Sequence, residues 1–134
     1  MSTLAERLGV TSENFRLMAP LYTEELYPDL LVDLVVGSCS AWADNYMSNP
    51  FVDENGDEIE NMSTSYPSII LGIYRLVQYE LKNPIDPSSP TNLGALKEIK
   101  TNNLVEKYQA AGEAKATYFE QIALQYFDQY RLYP

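Results

Sequence analysis

Residues 28–46 read PDLLVDLVVGSCSAWADNY, and they contain the strongest helical pattern of the chain. Its apolar residues recur at steps of three and four, the spacing that places side chains on one face of an α-helix. The main row on that face contains Leu31, Leu34, Val35, Ser38, Cys39, Trp42 and Tyr46. The opposite row contains Asp29, Asp33, Ser40 and Asp44. Because a further row of Val32, Val36 and Ala43 is also apolar, we predict a central core helix with other elements packed on two of its sides.

The size of the chain limits it to one compact core. It has 134 residues, of which 46% are apolar, and this is too short for two independent cores. No run approaches the roughly 18 consecutive apolar residues of a membrane span. The N-terminus lacks the basic-then-apolar pattern of a signal peptide. We therefore expect one soluble domain that is cytoplasmic at synthesis and has no membrane partner.

The negative charge is confined to the first half of the chain. Residues 1–62 contain 12 acidic residues and two arginines, a net charge of −10, whereas residues 63–134 contain seven acidic and seven basic residues. The first half is therefore a poor binder of nucleic acid, because affinity for phosphate comes from lysine and arginine. An acidic surface still suits a protein past which DNA must slide without sticking. The alternative interpretation of the charge is solubility alone.

The residue types present exclude several kinds of chemistry. The chain has no histidine, so histidine-based triads and histidine metal ligands are excluded. Its single cysteine, Cys39, lies among apolar residues and is predicted to be a small buried side chain. A calcium loop at Asp53 fails on spacing, because Gly56 stands at the fourth position and an EF-hand needs glycine at the sixth. We predict no catalytic, cofactor-binding or metal-binding residues, and no enzyme.

The segments before and after the central helix carry their own local signals. Thr3 and Glu6 match a capping box that starts a short helix, and Gly9 can end it. Thr11 or Ser12 is suited to cap a second short helix. A second long helix is predicted for residues 66–82, with an apolar stripe. That stripe contains Ile70, Ile73, Tyr74, Val77 and Leu81.

An acidic segment separates the two long helices. Residues 49–62 carry Asn55-Gly56 at the apex of a predicted hairpin with a tight primed turn. A segment of this length that the core does not need is a candidate contact arm. The candidate channel-facing or contact residues are its carboxylates, Asp53, Glu54, Asp57 and Glu58.

The last third of the chain begins with a connector rich in proline and serine. Two short strands around an asparagine turn are predicted within residues 95–108. A final helix follows Gly112, and its aromatic face continues to the end of the chain. That face contains Phe119, Ile122, Ala123, Tyr126, Tyr130 and Tyr133. Such a face either docks onto another chain or folds back onto its own core.

Together these segments predict a mainly α fold. We expect a small helical bundle around the central helix, with a short β-hairpin and a protruding C-terminal helix. Residues 1–112 would form the helical domain, including the acidic loop 49–62 and the hairpin 95–108. Residues 113–134 would form an aromatic helix for docking to a partner.

Three blocks, taken in order and with their spacing, resemble the head-to-tail connector or adaptor proteins of tailed bacteriophages. They are LLVDLVVGSCSAWADNY, PSIILGIYRLVQYELKN and GALKEIKTNNLVEKY, and together they cover about residues 25–108. Gly37-Ser38 stands where an alanine pair is expected, and the region of Asn49-Pro50 replaces an arginine. These departures leave the implied fold intact and put the contacts between neighbouring subunits in doubt.

The resemblance implies a virion protein of the phage neck that assembles in the host cytoplasm. It would form a homo-oligomeric ring, commonly twelve-fold, beneath the portal protein, and offer a surface to the next tail or neck protein. Double-stranded DNA would pass through the ring without specific binding. In this hypothesis the C-terminal helix docks onto the portal through Phe119, Ile122, Tyr126, Tyr130 and Tyr133.

Two alternatives remain open from the sequence. The first is a small helical regulatory or interaction module that binds one protein partner through the same aromatic helix. It predicts one-to-one complexes in place of a ring. The second is a carboxylate-dependent enzyme or a binder of divalent cations, for which the sequence contains no recognisable motif.

Overall fold

The computed structural model describes residues 3–83 and 113–132, and their architecture is mainly α-helical, as predicted. The hairpin predicted within residues 95–108 lies outside the described residues. Among the described helices, none is long and apolar enough to cross a membrane. In chain order the elements are α1 (Leu4–Leu8), α2 (Ser12–Met18), α3 (Asp29–Met47), α4 (Met62–Ser65), α5 (Pro67–Lys82) and α6 (residues 113–122), followed by a π-helical turn (Ala123–Phe127) and a 3-10 turn (Asp128–Tyr130).

Both short N-terminal helices begin at the predicted residues, and α1 ends at Gly9 as predicted. The side chain of Thr3 accepts a hydrogen bond from the backbone N–H of Glu6, and that of Thr11 accepts one from Asn14. These bonds satisfy N–H groups that have no partner within a helix. Gly9 ends α1 in the left-handed conformation, at φ 72°.

Arg16 positions the start of α3. Its guanidinium donates to the backbone carbonyls of Tyr22 at 2.6 Å and Tyr27 at 2.8 Å, and to the Asp29 carboxylate at 2.7 Å. One planar cation with several fixed donors therefore ties the connector between α2 and α3 to the first residue of α3. This connection determines where the central helix begins.

The most buried side of the central helix is the further apolar row, and the predicted main row is only partly buried. In the main row Cys39 is buried and Val35, Trp42 and Tyr46 are half-buried, whereas Leu31, Leu34 and Ser38 are exposed. The buried residues are Val32, Val36, Cys39, Ala43 and Met47, together with Ser40, which was predicted on the polar face. The reason is that α3 has neighbours on several sides, α1 and α2 as well as α5 and the π-helical turn. The middle of the broad apolar sector becomes its most buried part, and the leucines at its margin stay outside.

The second long helix, α5, is the most deeply enclosed element. Its buried positions occupy more than half of the helix circumference, because α3 packs on one side and the C-terminal helical segment on another. These positions are Ile69, Gly72, Ile73, Tyr74, Leu76, Val77 and Leu81. The predicted apolar stripe correctly contained the buried Ile73, Tyr74, Val77 and Leu81. It was too narrow because it omitted Ile69, Gly72 and Leu76, which are buried as well.

The C-terminal helix does not protrude. Its described part packs against α3 and α5, and Phe119, Ile122, Ala123 and Phe127 are buried. Leu132 donates its backbone N–H to the carbonyl of Met47, which ties the end of this segment to the end of α3. The prediction of a protruding helix is wrong for this part of the chain, because its aromatic face completes the core.

The acidic segment forms a tight turn and no strand pair. Only one isolated bridge, Val52 with Glu58, joins its two sides within the described residues. A primed two-residue turn needs positive φ at Asn55, whereas only Gly56 has it, at φ 83°. The Asp53 carboxylate stabilises the turn by accepting the backbone N–H groups of Asn55 and Asp57, at 2.8 and 3.0 Å.

Candidate functional site

An apolar stripe on α3 remains exposed and is the main candidate for a binding surface. Leu30 is 73% exposed and Leu34 64%, and Gly37 and Ala41 are exposed as well. These four residues follow each other at steps of four, three and four, so they form one line along the helix. We call them the α3 stripe. It lies on the opposite side of α3 from the buried Val32, Val36 and Ala43, so the described core elements do not cover it.

Unpaired carboxylates flank the α3 stripe. Asp33 and Asp44 are exposed on the same margin of α3. Within residues 3–83 and 113–132 the ion pairs are Arg16 with Asp29, at 2.7 Å, and Lys115 with Glu80, at 2.6 Å. Asp33 accepts the backbone N–H of Ser12 at 3.2 Å, and neither Asp33 nor Asp44 forms an ion pair with a cation from the described part of the chain. An apolar line with uncompensated negative charge beside it favours a partner with both apolar and basic side chains.

The small-residue half of the α3 stripe borders a cavity of about 220 Å³ between α1 and α3. The cavity is lined by Thr3, Leu4, Ala5, Gly37, Ser40, Ala41 and Asp44. Ser40 is only 2% exposed, and its hydroxyl has no hydrogen-bond partner among the described residues. In the same part of the chain, no atom lies within 4 Å of the place where a Cβ of Gly37 would stand. The backbone of α3 is therefore open to close approach at this point.

A second, larger cavity continues from the first. It has a volume of about 560 Å³, shares Leu4 and Asp44 with the smaller cavity, and extends to Asp57 and Glu58 of the acidic turn. Arg7 lies at its edge and donates to the backbone carbonyls of Pro50 at 2.9 Å and Phe51 at 2.7 Å. The two cavities adjoin each other, and we call them the groove. The smaller cavity borders the Gly37 and Ala41 end of the α3 stripe, and the larger one is lined by the acidic Asp57 and Glu58.

The four predicted acidic site residues differ in what they contact and in where they lie. All four are exposed, and Asp57 and Glu58 line the larger cavity. Asp53 instead holds the turn through its hydrogen bonds to backbone N–H groups. Glu54 belongs to the turn and lines neither cavity. The carboxylates are thus brought to one loop, where only two of them contribute to the groove.

Most of the predicted docking residues of the C-terminal helix pack in or against the core of the same chain. Phe119 and Ile122 are buried, and the ring of Phe119 meets that of Trp42 edge-on at 5.2 Å. Tyr126 and Tyr130 are half-buried, and the ring of Tyr130 packs edge-on against another tyrosine of the core at 5.3 Å. Tyr133 lies outside the described residues. As a correction, Phe119 and Ile122 are core residues and not a free docking face.

Cys39 is buried, as predicted, and its surroundings disfavour the reactive thiolate form. It lines a cavity of about 250 Å³ together with Glu80 and Lys115. Burial, and then the charge of Glu80, raise the pKa of the thiol to about 12, although Lys115 acts in the opposite direction. At neutral pH the sulfur is therefore protonated, and a protonated thiol is neither a nucleophile nor a metal ligand.

Within residues 3–83 and 113–132, no three side chains of the histidine, cysteine, aspartate and glutamate types are grouped so that they could hold a metal ion. Comparison of the chain with models of protein families, with curated proteins and with solved structures finds no match. The candidate site is thus defined by its own geometry, the α3 stripe and the adjoining groove. Sequence periodicity missed this site, although Gly37 and Ala41, small residues four apart beside two leucines, were its signal.

Proposed function

We propose that this chain is a structural protein of the tailed-phage neck, which forms an adaptor ring between portal and tail and extends the DNA channel. The observation that carries the proposal is the α3 stripe, because an apolar line left open on the central helix is typical of a protein whose burial is completed by other subunits. The resemblance of residues 25–108 to connector proteins supports the same assignment.

A ring of identical subunits needs two different surfaces on each subunit. In this proposal the acidic first half and the neutral second half of the chain supply those two surfaces. The α3 stripe replaces the buried face of the C-terminal helix as the contact with the portal or tail protein. The same stripe also supports the second candidate, a small interaction module that binds one protein partner. The two candidates differ in stoichiometry, a closed ring against a one-to-one complex.

The proposal predicts that DNA-filled particles contain this chain in a fixed ratio to the portal protein, near one-to-one. The double variant Leu30→Asp with Leu34→Asp should lower its incorporation at least about tenfold, because charges would enter an apolar interface. Quantitative mass spectrometry of purified particles measures both quantities. Leu124→Asp is the matched control, because Leu124 is 65% exposed on the C-terminal segment, outside the α3 stripe. Absence of the wild-type chain from particles would refute the ring and leave the interaction module.

The acidic turn is the proposed element that borders the channel. Carboxylates along the path of DNA repel phosphate and prevent sticking. Replacing Glu54 and Glu58 by glutamine and Asp57 by asparagine should therefore slow DNA ejection, measured by dye release from particles. Asp53 is left unchanged because it holds the turn. Ejection at the wild-type rate would exclude the turn from the channel wall.

A further inference from the structure

We infer that the groove along the α3 stripe binds a basic amphipathic helix of a partner protein. The inference takes from the proposed function only that the chain binds another protein. It goes further in assigning the surface and the chemistry of the occupant, which apply equally to a portal, a tail protein or a single regulatory partner.

The shape of the stripe fits a helix. From Leu30 to Ala41 it covers eleven residue steps, about 16 Å at 1.5 Å per residue, which is three helical turns. Its first half offers two protruding leucines, and its second half offers Gly37 and Ala41, whose lack of bulk lets another backbone approach closely. Beside this second half, α1 forms one wall of the groove with Thr3, Leu4 and Ala5. An apolar helix face laid into such a groove is a recurrent mode of peptide recognition.

The negative charge of the groove favours a binding partner with positive charge. Asp33 and Asp44 lie on one margin of the stripe and form no ion pair within the described part of the chain, and Asp57 and Glu58 line the larger cavity. Arg7 also lines that cavity, where its single positive charge is outnumbered by the carboxylates of Asp44, Asp57 and Glu58. A second copy presenting this same acidic margin would be repelled. A helix with lysine or arginine beside its apolar face complements the surface instead.

A polar group buried within the groove points to an occupant independently of the charges. Ser40 lines the smaller cavity, and its hydroxyl is buried without a hydrogen-bond partner among residues 3–83 and 113–132. An unpaired buried hydroxyl costs free energy, and a polar atom of a bound chain would satisfy it. Ser40 thus gives the small-residue end of the groove a specific contact in addition to its open space.

The test uses the full chain, labelled with ¹⁵N, and the synthetic helical peptide AKLAAKLLAKAAKLA. Amide signals of the α3 stripe and of Ser40 and Asp44 should shift on titration, and the shifts should weaken as salt is added. A counterpart peptide with glutamate in place of every lysine should leave the spectrum unchanged. Equal shifts with both peptides, or none with the lysine peptide, would overturn the inference.

Variants separate the groove from general attraction to an acidic protein. Gly37→Leu fills the open end of the groove and should weaken peptide binding at least about tenfold without lowering the melting temperature. Asp33→Asn with Asp44→Asn should weaken binding about tenfold, because the lysines lose their counter-charges. The matched control, Glu24→Gln with Glu25→Gln, removes the same charge from the exposed connector before α3. Equal losses in the two double variants would show non-specific attraction and refute the site.

The outcome is independent of the ring. A chain that is present in particles and does not bind the peptide overturns the groove alone. A chain that binds the peptide and is absent from particles overturns the neck assignment alone.

Discussion

Phe127→Ala is expected to lower the free energy of unfolding by about 3–5 kcal/mol, the usual cost of truncating a fully buried aromatic side chain. Phe127 has no exposed surface, and its ring lies against Gly72 of α5. Natural domains are stable by only about 5–15 kcal/mol, so this single truncation would remove a large part of the total. Urea denaturation followed by circular dichroism measures the change.

Leu124→Ala is the matched control, because it removes a side chain of similar kind from the same π-helical turn at an exposed position. Its cost should stay within about 0.5 kcal/mol. Equal costs for the two variants would mean that this segment does not pack as described. The same packing explains why deleting residues 113–134 is a poor test of partner docking. The deletion would take four buried residues out of the core and unfold the domain.

Gly72→Ala should destabilise the chain by about 2 kcal/mol, although alanine is the better helix former by about 1 kcal/mol. A Cβ at this position would lie 2.6 Å from Cε1 of Phe127 and 2.7 Å from Cβ of Tyr126. These distances are shorter than van der Waals contact, and the Tyr126 atom sits next to the backbone. Accommodation therefore requires α5 and the π-helical turn to move apart, which loosens the surrounding core. Thermal and urea unfolding both report the loss.

Gly37→Ala supplies a control of opposite sign. Gly37 lies in the interior of the other long helix and has no neighbour within 4 Å of the new methyl group. The substitution then changes only the helix propensity of residue 37, so the free energy of unfolding should rise by about 1 kcal/mol. Stabilisation by both alanine variants would show that α5 and the C-terminal segment are farther apart than the structure has them.

The π-helical turn determines which aromatic side chain of the C-terminal segment is buried. A regular helical period places Phe119, Ile122 and Tyr126 on one face, and this set was the sequence prediction. The turn Ala123–Phe127 inserts one extra residue, which moves the buried face from Tyr126 to Phe127. No local signal in the sequence distinguishes such a turn from a continuous α-helix. The π-helical turn packs against α5, and this packing favours burial of the Phe127 ring in the core.

The features that depend on neighbours along the chain could be read from the sequence. The helical class, the caps at Thr3 and Thr11 and the end of α1 at Gly9 all follow from spacing and from the conformational preferences of single residues. These signals act within one or two turns, so a pattern of residues is sufficient to find them.

Only the tertiary structure decided which apolar row of α3 is buried and which is exposed. The sequence places apolar residues around most of this helix, and several orientations would have buried a similar number of them. Contacts with α1, α2, α5 and the π-helical turn select the valine row. They leave Leu30 and Leu34 outside, next to Gly37 and Ala41. The candidate binding surface is thus a product of how the helices pack, because exposure belongs to the assembled fold and not to any one helix.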